Sequence, residues 1–188
     1  MRKIVVGMTG ASGSLLAIRT LEALRGVSGV ETHFVMSEEA ARTLELEVPG
    51  ARVEELERLA DVVYRNENLA AAISSGSFLT AGMIVVPCSM KTASAIAHSY
   101  NHNLLTRAAD VTLKERRPLV LVVRETPLHV GHLRMLVQLA EIGAIILPPI
   151  VGFYTRPKSI DDVVNHTVGK ALDQLGVEHT LFTRWGGA

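Results

Sequence analysis

A single cysteine, Cys88, stands in a chain of 188 residues. No internal disulfide can form, and a reducing, cytoplasmic setting is the natural expectation. Aromatic side chains are also scarce, at 4% with one tryptophan. A core must therefore be made from Val, Ile, Leu and Ala, which suits a parallel sheet covered by helices. A net excess of either charge is absent too: 19 basic residues cancel 19 acidic ones. That balance argues against a surface built for nucleic acid or an anionic membrane, and it leaves room for a local basic pocket. No apolar run reaches transmembrane length. The opening Met1-Arg2-Lys3 carries the charges of a signal peptide. Its apolar run is too short, however, and leads straight into glycines, so it reads as a first strand. Repeats, low-complexity tracts and linkers are missing, so one domain over residues 1–188 is expected.

What is present is an alternation of apolar runs and helical patterns. Strands are expected at Ile4–Met8, Glu31–Met36, Met83–Pro87, Leu119–Val123 and Ala144–Leu147. Helices are expected through Leu24, from Ser37 to about Leu46, over Val53–Leu59, near Thr92–His98 and Leu104–Glu115, and over Val130–Ile142 and Ile160–Leu175. Ser159 with Asp162 forms a capping-box pattern ahead of the last helix, and Gly176 lies just past its end. Continuous apolar strands separated by helices predict an α/β fold: a three-layer Rossmann-like or flavodoxin-like domain with a mostly parallel sheet. Such sheets bind ligands at the carboxyl ends of their strands.

Those ends carry most of the chemistry-bearing residues. After the first strand comes Thr9-Gly10-Ala11-Ser12-Gly13, whose glycines let backbone amides approach a ligand at a helix start. A plain strand-to-helix turn with a capping serine fits equally well. It is not the G-x-G-x-x-G fingerprint. Ser37 ends the second strand and reads as a helix cap. Cys88-Ser89-Met90-Lys91-Thr92 follows the Met83–Pro87 strand with donors for an anion or a flavin edge, while Cys88 itself reads as packing. Arg124 and Glu125, backed by Pro127, are either a phosphate grip and a proton acceptor or a mutual surface ion pair. Arg107 and Lys114, seven apart, share a helix face. His129 and His132, and His98 and His102, have metal-like spacings, but no carboxylate or cysteine completes a set, so no metal is expected.

Taken in order, GMTGASG (7–13), ETHFVMS (31–37), ISSGSF (73–78), VVPCSMKT (85–92), LLTRAADVTLKERRPLVLVVRETPL (104–128), HLRM (132–135), GAIILPP (143–149), FYTRP (153–157) and RW (184–185) resemble the UbiX-type flavin prenyltransferases across nearly the whole chain. The resemblance implies a homo-oligomer, a dodecamer in known relatives, that binds FMN between subunits. It implies joining reduced FMN at N5 and C6 to the prenyl group of dimethylallyl monophosphate. The prenylated FMN then serves a separate UbiD-type decarboxylase. The same resemblance places FMN against Gly10, Ala11, Ser12, Ser37, Ser89, Met90, Lys91, Thr92 and Arg124. Arg107, Lys114, Tyr154 and Lys170 are implied to meet the dimethylallyl phosphate, with Ser12, Glu47, Lys114, Glu125 and Trp185 around the reacting groups.

Two departures from the family pattern stand out. Lys170 sits where many relatives have Arg, which keeps the charge and loses the bidentate fork. Val151 replaces a proline before Phe153-Tyr154. An FMN-dependent cysteine-type decarboxylase, a non-catalytic subunit delivering flavin to a decarboxylase, and an aromatic-acid decarboxylase are the competing readings. The first needs a catalytic histidine that the chain does not place in a matching motif.

Overall fold

A computed structural model describes residues 1–186. Six strands and seven α-helices alternate along these residues. The strands are β1 (Arg2–Met8), β2 (Val30–Met36), β3 (Val62–Tyr64), β4 (Gly82–Cys88), β5 (Leu119–Val123) and β6 (Ala144–Ile146). The helices are α1 (Ser14–Arg25), α2 (Glu38–Glu47), α3 (Val53–Glu57), α4 (Met90–Ala97), α5 (Leu104–Lys114), α6 (Val130–Glu141) and α7 (Ile160–Gln174).

All neighbouring strands pair in parallel, in the order β3-β2-β1-β4-β5-β6. This is the three-layer α/β architecture expected from sequence, with the strand order of a doubly wound sheet. Five strands are expected from the sequence; the sheet has six. The missed one, β3, is a three-residue edge strand pairing only with His33–Val35 of β2. The Asp61 carboxylate just before it accepts the Thr32 amide (2.7 Å) and secures the edge. The third expected strand also runs one residue further, through Pro87 to Cys88, with a register irregularity between Val85 and Cys88.

Period-two alternation sorts the strand side chains between the two faces. Ile4, Val6 and Met8 of β1 join Ile84, Val86, Val120 and Val122 in a core covered by α1, α2 and α7. Val5, Met83, Val85, Leu119, Leu121 and Val123 point the other way, beneath α4, α5 and α6. Each of these fully buried aliphatic side chains contributes about 1.5–3 kcal/mol of hydrophobic stabilisation before conformational entropy is counted. The Ser159–Asp162 capping box forms as expected: the Ser159 hydroxyl accepts the Asp162 amide, and the Asp162 carboxylate accepts the Ser159 amide.

From β1 the chain winds outward to β2 and β3, then returns to lay β4 on the other side of β1. The crevice at the carboxyl ends of β1 and β4 is therefore the switch point where such a sheet receives a ligand.

Candidate active site

The glycine turn after β1 and the Ser89–Thr92 segment after β4 form the two walls of that crevice. Thr9 ties them together. Its buried hydroxyl donates to the Pro87 carbonyl (2.8 Å) and accepts the Ser89 amide (2.8 Å). Ser89 caps α4 by accepting the Thr92 amide, and Ser37 caps α2 by accepting the Ala40 amide. Met90, Lys91 and Thr92 make the first turn of α4. Three helices thus begin beside one crevice, and their positive dipole ends favour an anion there. Gly10 is pressed against α2: a Cβ at this position would lie 2.5 Å from Glu39 Cβ. Glu39 in turn pairs with Lys91 across the crevice mouth (3.3 Å).

The turn's own serine does not cap α1. The helix begins at Ser14, with Gly13 at φ 126° in the capping position and no side-chain cap from the turn. Glu47, at the end of α2, takes that role. Its carboxylate accepts the Gly13 amide (3.1 and 3.0 Å) and the Ser14 amide (2.7 Å). Burial works to raise the Glu47 pKa, but the Ser12 hydroxyl and the Ser14 and Gly13 amides outweigh it and hold the carboxyl below its usual range. An ionised Glu47 therefore fixes the shape of the loop that carries Gly10, Ala11 and Ser12. Sequence spacing gave no hint of this bond, because its partners lie more than thirty positions apart.

At the end of β5, the Arg124 amide donates to the Cys88 carbonyl (3.1 Å), which sets Arg124 beside the β4 segment. Arg124 and Glu125 are exposed and form no ion pair with each other among the described residues, so the mutual-pair reading falls away. Glu125 instead accepts the Thr126 amide (2.9 Å). Cys88 is fully buried, and burial pushes its thiol up to about 12, which leaves it inert as a nucleophile. His129 is a helix cap whose Nδ1 accepts the Gly131 amide (3.0 Å). Among the described residues no three His, Cys, Asp or Glu side chains gather as a metal-binding group.

The remaining expected site residues are not all drawn into this crevice within one chain. Arg107 and Lys114 do share a face of α5. Arg107 is held by the Ser74 carbonyl (3.1 Å) and Asp110 (3.0 Å). The start of α5 is fixed at the carboxyl edge of the sheet, where the Leu104 amide donates to the Asn66 carbonyl beyond β3. At 1.5 Å per residue, Lys114 lies roughly 15 Å away toward the opposite edge, where it pairs with Glu115 beside Gly76. Tyr154, Lys170 and Trp185 group separately on α7 and its flanking segments. The Tyr154 and Trp185 rings meet edge to face at 5.9 Å, beside a cleft of about 910 Å³.

A model of the flavoprotein family matches residues 1–172. The flavin prenyltransferase UbiX of Escherichia coli strain K12 is 56% identical over 190 residues, covering 100% of both chains. This chain belongs to the UbiX-type flavin prenyltransferases. Solved structures agree. The crystal structure of AnUbiX (PadA1) in complex with FMN and dimethylallyl pyrophosphate matches at TM-score 0.96 and 48% identity, over 100% of this chain and 98% of that one. A dodecameric FMN-dependent UbiX-like decarboxylase from Escherichia coli O157:H7 matches at TM-score 0.95 and 49% identity, over 98% and 100%.

The crevice fits the flavin mononucleotide that this family handles. A phosphate needs helix N-termini and a cation, supplied by the starts of α2 and α4 and by Arg124. A flat ring needs close backbone approach, which a turn carrying two glycines, Gly10 and Gly13, permits.

Proposed function

We propose that this chain transfers the dimethylallyl group of dimethylallyl monophosphate to N5 and C6 of reduced FMN, making prenylated FMN. The observation that carries the reading is the pair of walls stapled by Thr9 at the β1–β4 switch point, in a chain 56% identical to a flavin prenyltransferase. Reduced flavin is the acceptor and supplies the electron-rich ring positions. Gly10, Ala11, Ser12 and Ser37 on one side, with Ser89, Met90, Lys91, Thr92 and Arg124 on the other, hold it in place.

The donor's carbon–oxygen bond breaks as its phosphate leaves. Arg107, Lys114, Tyr154 and Lys170 stabilise that departing negative charge. The Trp185 face shelters the allylic positive charge left behind. The N5–carbon bond replaces the broken carbon–oxygen bond, the N5 proton passing to the phosphate. Ring closure then adds a proton to the prenyl double bond, and C6 bonds to the carbon so made cationic. Glu125 or the released phosphate takes the C6 proton, while Ser12 hydrogen-bonds the flavin edge.

Within one chain these groups stand in separate places, so the complete site requires a second copy. An exposed apolar stripe of Val130, Leu133 and Val137 on α6 supports self-association. The solved relative of dodecameric form suggests the assembly size. A UbiD-type decarboxylase is the proposed recipient of the product.

Anaerobic incubation with reduced FMN and dimethylallyl monophosphate, or in parallel the diphosphate, tests the reading by mass spectrometry of the released flavin. The expected result is a flavin heavier by one prenyl unit. Unmodified flavin, or carbon dioxide release from a hydroxybenzoate by the isolated chain, sinks it.

A further inference from the structure

Beyond α7 the chain turns back along the helix, and one carboxylate receives it. Asp173 Oδ1 accepts from His179 Nε2 (3.1 Å) and Arg184 Nη2 (2.6 Å), and Oδ2 accepts from Arg184 Nη1 (3.1 Å). The Arg184 contact is the bidentate fork that fixes geometry as well as charge. His179 is oriented for its part: its Nδ1 accepts the Leu181 amide (3.2 Å), which leaves Nε2 to donate.

Between these two contacts Phe182 drops into a notch on α7 at Gly169, where a Cβ would lie 2.5 Å from Phe182 Cε1. Arg184 is therefore held by its fork, and the ring of its neighbour Trp185 stands perpendicular to that of Tyr154. Lys170, one turn earlier on α7, has its Nζ 3.9 Å from Asp173 Oδ2. A single side chain thus touches or anchors both groups, Trp185 and Lys170, that the proposed reaction sets against the prenyl donor.

We infer that Asp173 is a positioning residue for prenyl transfer, latching the segment through Arg184 so that Trp185 is held over Tyr154 while Lys170 is kept alongside. The inference rests on the reading of Tyr154, Lys170 and Trp185 as the prenyl-donor face. Asp173 does not touch the reacting atoms; its effect passes through Arg184. The latch needs an ionised carboxyl. Hydrogen bonding from Arg184 is the main influence on Asp173 and, against the opposing effect of burial, holds its pKa below the usual range, with His179 adding to the same effect.

The chain's one tryptophan makes the latch directly observable. Asp173→Asn and Arg184→Met, singly and together, are compared with the parent enzyme in the assembled state. Trp185 fluorescence anisotropy is read without substrate, and turnover and FMN affinity are read separately. The expected result is a loss of anisotropy in either single variant. It comes with a drop in kcat of about tenfold and unchanged FMN affinity, the pattern of lost orientation rather than lost folding. The double variant is expected to be no worse than the single ones, because both remove the same contact.

Unchanged anisotropy in both single variants overturns the latch. So do additive losses in the double variant, or a fall in FMN affinity that parallels the fall in rate. If the parent enzyme makes no prenylated flavin, the functional reading fails while the anisotropy still decides whether Asp173 holds Trp185.

Discussion

The crevice between β1 and β4 and the corner where Tyr154 meets Trp185 are built by different means. The crevice is made by the sheet itself. Its walls are backbone segments leaving adjacent strands, stapled through the buried Thr9 hydroxyl and shaped by Glu47. The corner is made by side chains on the outside of a helix. Tyr154 and Trp185 are both largely exposed, and they are held by an ion-pair fork and one aromatic ring in a notch. A region locked by strand pairing can bind a ligand with little rearrangement. A region held by a few surface contacts can be adjusted, or completed by another copy of the chain, without disturbing the sheet. In the proposed reading, flavin binding in the crevice and handling of the prenyl donor at the corner are separable, and substitutions should divide along the same line.

The largest effect is expected in the crevice. Gly10→Ala would drive a methyl group to 2.5 Å from Glu39 Cβ and 3.1 Å from the Glu39 carbonyl carbon, so α2 must move. FMN affinity should fall by about 100-fold, as overpacking costs about 1–3 kcal/mol and disorganises the donors as well. Flavin fluorescence titration reads this, and near-native affinity would mean that the two walls have room to relax.

Glu47→Gln is next. Replacing a charge-assisted cap with a neutral one should cost about 1 kcal/mol at neutral pH, measured as a shift in urea midpoint. The pH dependence follows from the depressed carboxyl. Its stabilising contribution is complete above the ordinary value near 4.5 and is lost as pH falls through the lower folded value. The difference between parent and variant should therefore be constant at neutral pH and shrink in strong acid. A gap that persists undiminished there would show that the charge is not what holds the turn.

Gly169→Ala should be the mildest. It pushes aside both the Phe182 and His179 rings, slowing turnover by about threefold through misplaced Trp185 while leaving FMN affinity alone. An equal loss of both in steady-state and titration measurements would erase the distinction between the two regions.

The layers, and the strands that bound the crevice, were legible because their signals are local. Continuous apolar runs such as Met83–Val86 and capping patterns such as Ser159-x-x-Asp162 are written within a few residues. β3 was not legible: it is three residues long and only partly buried, and it exists because β2 offers an open edge. The walls of the site were marked by glycine, serine and lysine at strand ends, so Gly10, Ser12, Ser89 and Lys91 could be singled out. The bond from Glu47 to the Gly13 amide could not be read, since nothing in α2 alone says which helix its carboxylate will cap. Asp173 hid in the same way, as one more acid on a helix whose partners come after the chain has reversed direction.

The Thr9 staple has a consequence for how the molecule comes into being. It joins Thr9 to Pro87, 78 positions along the chain, and the first strand of the sheet must wait for that partner. During synthesis β1 can pair early with β2, yet the crevice proposed to hold flavin does not exist until β4 has emerged. A nascent chain therefore exposes the apolar flank of its central strand through the first half of translation, and FMN can stabilise the folded product without guiding its earliest steps.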